Sequence, residues 1–146
     1  MAIVLPKFPR RTLSRVGTND TQPAVMIRLS DVRPFYVPCD VLEFEYSLAN
    51  IPTVQLNAIE ASVVWFTQGK GTEDLGVHFF RRTSGQSLQE IDWTQPQTVS
   101  VELPQSPLSY SGRLIKLVWC VRVRAYLNDG SEFISEQPFS LGSLSG

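Results

Sequence analysis

The feature that most constrains the fold of this chain is an alternation of apolar and polar residues with a period of two. Over residues 42–48, apolar side chains occupy every second position, with glutamates and a serine between them. Successive residues of a strand point to opposite faces of a sheet, so this run predicts a strand with one buried face. Residues 115–127 repeat the pattern over a greater length, with Lys116, Arg122 and Arg124 on the polar face, and predict a central strand.

Shorter runs of the same type predict the other strands. They cover residues 25–29, 59–66, 75–80, 99–103 and 133–141. In the run 75–80, Leu75, Val77 and Phe79 alternate with Gly76, His78 and Phe80, which predicts that the first three share one face. Asn128-Asp129-Gly130 predicts a tight hairpin turn before the last strand.

Helical spacing is absent from every stretch of ten or more residues, and the short polar segment 84–92 predicts one helical turn at most. Strands separated by Pro and Gly, without intervening helices, are typical of an antiparallel β-sandwich. We therefore predict an all-β, immunoglobulin-like sandwich of about seven or eight strands, formed by residues 24–146 as a single domain.

Composition excludes several classes of function. The 146 residues carry 13 basic and 14 acidic side chains, a balance that argues against a dedicated nucleic-acid binder. One His and two Cys cannot supply a four-ligand Cys/His zinc site, so we predict neither a metal nor another cofactor. No nucleophile, base and orienting acid converge on His78 in the sequence pattern, and we predict that the protein is not an enzyme.

The first 23 residues differ from the rest because they show neither helical nor alternating periodicity and are rich in Pro and in cations. We predict an extended basic arm over residues 1–23, with Arg10 and Arg11 contacting an acidic face of a partner. A peripheral contact with a membrane surface and a solvated leader are the alternatives. The chain shows no export signal and no transmembrane segment, and we predict that Cys39 and Cys120 are free thiols in the cytoplasm.

A family resemblance rests on residues 101–127. They read Val-Glu-Leu-Pro-Gln-Ser-Pro-Leu-Ser-Tyr-Ser-Gly and continue into the long alternating strand. A strand that ends in Leu-Pro, a loop with an aromatic residue and a Gly, and a strand of alternating valines together resemble the arrestin-like family, and residues 41–48 resemble the strand that precedes them there. In that family, which includes the retromer's arrestin-like subunit and bacterial sporulation-control proteins, the element belongs to an immunoglobulin-like sandwich. Arrestins pair two such sandwiches and we expect one here, so their cargo-binding interface is not carried over.

Candidate binding residues lie in one loop and on two strand faces. The Gly-rich connection 68–76 lacks the spacing of a phosphate-binding loop and predicts a hairpin, in which Lys70, Glu73 and Asp74 are either recognition residues or solvated charges. Phe66 and Phe80 fall on outward faces. If contiguous, they form an apolar patch of the kind that marks an interface, and the alternative is that another segment covers them.

Together these features predict a non-catalytic interaction or scaffold module that binds a partner protein or a second copy of itself. The apolar strand face supplies contact area, the loop charges set specificity and the arm steers the partner. Pairing at an exposed strand edge is a second mode. The alternative is a ligand- or carbohydrate-binding sandwich in which an exposed Trp93 stacks on the ligand, whereas Trp65 and Trp119 are predicted to lie in the core.

Overall fold

A computed structural model describes residues 22–71 and 73–142, and these form an antiparallel β-sandwich, as predicted. One five-residue helix, α1 (Gly85–Gln89), lies in the segment for which a single turn was expected, and a 3₁₀ turn covers Thr53–Gln55. The strands of the described ranges are β1 (Ala24–Leu29), β2 (Val41–Ala49), β3 (Leu56–Gly69), β4 (Leu75–Ser84), β5 (Gln97–Glu102), β6 (Tyr110–Ser111), β7 (Ile115–Leu127) and β8 (Glu132–Phe139).

Two sheets of unequal size make up the sandwich. The small sheet has the strand order β1-β2-β5. The large sheet has the order β4-β3-β7, and β6 and β8 both pair with the far side of β7. β7 is thus an inner strand, as its length and alternation predict. Strand β6 was not predicted, because two residues are too few to show a period.

The core lies between the facing sides of the two sheets and follows the predicted alternation. Every second residue of β2, from Leu42 to Leu48, is buried, and Trp119 of β7 is completely enclosed. Burial of each large apolar side chain contributes about 1.5–3 kcal/mol. Trp65 departs from the prediction because it is only partly buried, with its indole packed over Gly76 on the neighbouring strand.

Both predicted hairpins are present. The β7–β8 turn places Gly130 at φ +91°, a conformation that disfavours residues with a side chain. Within this turn the Ser131 hydroxyl donates a hydrogen bond to the Asp129 carboxylate (2.6 Å). In the β3–β4 hairpin, Gly69 has φ +131°, and a Cβ atom there would lie 2.2 Å from the Leu114 carbonyl oxygen. Gly69 therefore lets the β3–β4 hairpin approach the loop that precedes β7.

The prediction that Trp93 is exposed is wrong. Its side chain is 2% exposed, its Nε1–H donates a hydrogen bond to the Leu88 carbonyl oxygen (2.9 Å), and its ring stacks on Tyr46 at 6.2 Å. Helix α1 and the turn after it bring Leu88 and Trp93 into the core cluster, while Asp92 accepts hydrogen bonds from Thr94 at the surface. A sugar ring therefore cannot stack on Trp93.

Both cysteines are free, as predicted, and they differ in exposure. Cys39 is exposed, whereas Cys120 is 2% exposed, although it lies on the outer face of the large sheet. Arg122, on the same face, is 4% exposed. Both residues belong to β7, which pairs with β3 on one side and β8 on the other, so side chains of these two strands cover them. The predicted arm, with Arg10 and Arg11, falls outside the described residues except for its last two positions.

Candidate functional site

Apolar side chains gather on the outer face of the large sheet, on the side away from the core. Residues paired across antiparallel strands share a face, so the register identifies the members of this cluster. We call it the outer patch, and it consists of Val64 and Phe66 of β3, Leu75, Val77 and Phe80 of β4, and Val118 of β7.

The two predicted phenylalanines lie at opposite ends of the outer patch. Phe66 pairs with Leu75, and Phe80 pairs with Ser62 two positions before Val64. Val64, paired with Val77, lies between them, so the register joins them into one patch on the same face. Phe80 and Val77 are the exposed members, at 53% and 37%, whereas Val64 is buried and the other members are half-buried.

A β-bulge in β4 determines which residues join the patch. The register slips so that Val63 pairs with Phe79 and Val64 with Val77, which leaves His78 as the extra residue. The sequence prediction that Leu75, Val77 and Phe79 share a face is therefore wrong, because the bulge reverses the alternation at His78. Leu75 and Val77 move to the outer face and enlarge the patch.

The same bulge directs His78 toward the small sheet. Its Nε2 lies 2.7 Å from the Glu102 carbonyl oxygen of β5, and its ring packs edge-on against Trp119 at 6.1 Å. His78 therefore links β4, an edge strand of the large sheet, to β5, an edge strand of the small sheet. His78 is thus a hydrogen-bonded residue of an edge strand.

A network of charged side chains and one tyrosine borders the outer patch on the same face; we call it the charged network. Its members are Glu60, Arg82, Arg122, Arg124, Tyr126, Glu132 and Glu136. Arg122 pairs with Glu136 at 3.0 Å, and the Tyr126 hydroxyl accepts a bond from Arg124 (2.8 Å) and donates one to Glu60 (3.2 Å). Burial raises the pKa of Glu136, although Arg122 acts in the opposite direction.

The predicted loop residues lie at the end of the sheet next to Phe66. Lys70, Glu73 and Asp74 are exposed. The backbone N–H of Lys70 donates to the Leu114 carbonyl oxygen (3.1 Å), and that of Asp74 donates to the Thr67 hydroxyl (2.8 Å). The hairpin places these three charges beyond the Phe66 end of the patch, whereas Phe80 is farther away. Their role as recognition residues stays a prediction.

A groove of about 760 Å³ lies elsewhere, between the end of β1 and strands β6 to β8. Its lining includes Ile27, Leu29, Leu117 and Phe139, none of which was a candidate in the sequence. Because these residues come from separate elements, no local pattern marks them. Arg33 at its rim is already paired with Asp31 (2.6 Å) and Asp40 (2.9 Å).

Two features are absent from residues 22–71 and 73–142. Within them, no three His, Cys, Asp or Glu side chains are grouped so that they could hold a metal ion. The helices of the same ranges also lack the length and hydropathy needed to span a membrane.

Comparison with known proteins finds similarity at the level of the fold. No protein-family model matches the chain, and no curated protein does. The crystal structure of Spo0M, a sporulation control protein from Bacillus subtilis, is similar with a TM-score of 0.55 and 12% sequence identity. The similarity covers 83% of this chain and 49% of Spo0M, so the chain spans about half of that protein.

Other structural matches are weaker. A β-glucosidase from Listeria innocua, crystallised with gluconolactone, has a TM-score of 0.38 and 16% identity over 83% of this chain and 16% of the enzyme. The likeness to a sporulation control protein supports the arrestin-like fold that was expected from residues 101–127. In architecture, the chain is an arrestin-like β-sandwich.

Proposed function

We propose that this domain is a non-catalytic regulatory or scaffold module that binds a partner protein through the outer patch. The observation that carries the proposal is the exposure of Phe80 and Val77 within one apolar face that the charged network borders. Aromatic anchors within a polar rim are typical of protein interfaces.

The outer face of the small sheet provides the contrast. There β2 presents Glu43, Glu45 and Ser47, and Arg28 of β1 pairs with Glu45 at 2.8 Å. Two exposed apolar side chains, Met26 and Val41, also lie on this face, but each pairs with a polar residue, Ser47 and Glu102. An outer sheet face that needs only solvation has this mainly polar composition. The apolar composition of the large sheet's outer face thus calls for another explanation, and a bound partner would supply it.

Two observations support the absence of catalysis in this proposal. The hydrogen-bond partner of His78 is a backbone carbonyl rather than a nucleophile or an acid. Burial raises the pKa of the Cys120 thiol to about 12, and such a thiol is a poor nucleophile near neutral pH. Free thiols are usual in the cytosol, which we propose as the compartment.

Site-specific photo-crosslinking tests the proposal. A benzophenone amino acid replaces Phe80 in one variant and Met26 in another, because both side chains are 53% exposed and Met26 lies on the outer face of the small sheet. In cells that express the protein naturally, we expect one discrete crosslinked protein from position 80 and none from position 26. The same products at both positions, or none at position 80, would refute the proposed surface.

A further inference from the structure

We propose that β4 binds an extended segment of the partner as an added strand, and that this segment carries two consecutive acidic residues followed by apolar ones. The inference rests on the proposed function, because the added strand would extend the outer patch at its β4 side. Four facts carry it: the open edge of β4, its regular backbone after the bulge, its two arginines, and the exposed Phe80.

β4 is the most accessible edge strand in the described part of the chain. It pairs only with β3, and each of its residues is exposed or half-buried. β8, at the opposite edge of the large sheet, contains Pro138, which cannot donate a backbone hydrogen bond. On β5, His78 already contacts the Glu102 carbonyl oxygen. β1, the other edge of the small sheet, packs against β8 and has Val25 buried. Backbone pairing with a partner is thus best accommodated by β4.

The portion of β4 after the bulge has the regularity that an added strand needs. From Phe79 to Ser84 its pairing with β3 is continuous, without a register shift. Six residues match the usual length of a strand. A bulge disrupts the ladder locally, so pairing would end near His78.

The side chains of this segment determine the chemistry of the partner. Arg81 and Arg82 are adjacent, so they point to opposite faces of the sheet. Arg82 pairs with Glu60, whereas Arg81 has a cation–π contact with Phe79 and no carboxylate partner within the described ranges. Two consecutive carboxylates in an antiparallel strand would face one arginine each. Apolar residues after them would lie beside Phe80 and Phe79.

The same charges disfavour pairing between two copies through β4. An antiparallel β4–β4 contact centred on this segment would place arginines of the two chains opposite or next to each other, and facing like charges destabilise a sheet. An acidic segment removes this repulsion and adds attraction. The occupant that fits this edge is therefore an acidic–apolar segment of another protein.

A fluorescent peptide with the central sequence Thr-Thr-Glu-Glu-Val-Val tests the inference by polarisation. We expect saturable binding to the full chain and slower hydrogen exchange of the alternate amides between Phe79 and Ser84 that face the open edge of β4. Arg81→Glu should weaken binding roughly tenfold. Arg113→Glu reverses the charge of another exposed arginine and should leave the affinity unchanged. A peptide with Lys-Lys in place of Glu-Glu should not bind.

An N-methylated version of the same peptide separates strand addition from side-chain contact alone, because it keeps the side chains and removes backbone donors. Equal binding of the two peptides, or protection of amides outside β4, would overturn the inference. So would a peptide that fails to bind. Each of these results leaves the crosslinking test at position 80 standing, whereas failure of that test removes the surface itself.

Discussion

Replacement of Trp93 by Ala tests whether this residue closes the core. Its indole is 2% exposed, stacks on Tyr46 and donates a hydrogen bond to Leu88. Truncation of a buried Trp costs about 3–5 kcal/mol, because it removes apolar contacts and leaves a cavity. The domain's entire stability is on the order of 5–15 kcal/mol. We therefore expect the free energy of unfolding of the Trp93→Ala variant to fall by a large fraction.

Urea denaturation followed by circular dichroism measures this change. With a slope of about 2 kcal/mol per molar urea, the midpoint should fall by about 1.5–2.5 M. Trp93→Phe is the matched control, because it keeps an aromatic ring but leaves the Leu88 carbonyl without its donor, at a cost of about 1–3 kcal/mol. A Trp93→Ala variant within about 0.5 kcal/mol of the parent would behave as a surface substitution and refute the buried placement.

Three more predictions concern packing, thiols and pH. Gly76→Ala should lower the unfolding midpoint, since its Cβ would lie 2.1 Å from the indole packed there, and an unchanged midpoint would contradict this contact. At pH 8, Cys39 should react with a thiol reagent while Cys120, with its pKa raised to about 12, reacts only in denaturant; two fast thiols would contradict its burial. Hydrogen bonds from Ser131 lower the pKa of Asp129 in the folded state. This carboxylate therefore stabilises the fold above its unfolded-state pKa of about 4, and the stabilisation is lost as pH falls through the lower pKa of the folded state. Asp129→Ala should therefore reduce the melting temperature at pH 6 more than at pH 2.5, and an equal reduction would contradict that role.

The sequence was sufficient for most of the fold because a period of two is a local signal. β7 begins and ends at the predicted residues, and the turn that contains Gly130 follows it. Burial of residues that depart from this pattern depends on segments distant in sequence. Trp93 has polar neighbours in the chain and is buried by the closure of the sandwich end, and Cys120 is covered by strands distant in sequence.

The candidate site was only partly predictable for the same reason. Phe66 and Phe80 could be placed on outer faces from alternation, and the register agrees. Val77 could not, because the bulge at His78 depends on how two strands pair and reverses the alternation within one of them. A histidine between apolar residues of an otherwise regular strand was the available signal, and it is too weak to locate a bulge by itself.

The affinity of the protein captured at position 80, measured by titration calorimetry with purified components, tests the central claim most directly. Phe80→Ala should weaken this binding by at least about 30-fold, the loss expected of an aromatic anchor. Met26→Ala, which truncates an equally exposed side chain on the other sheet, should leave the affinity unchanged. Equal affinities of the two variants would contradict the assignment of the outer patch as the binding surface.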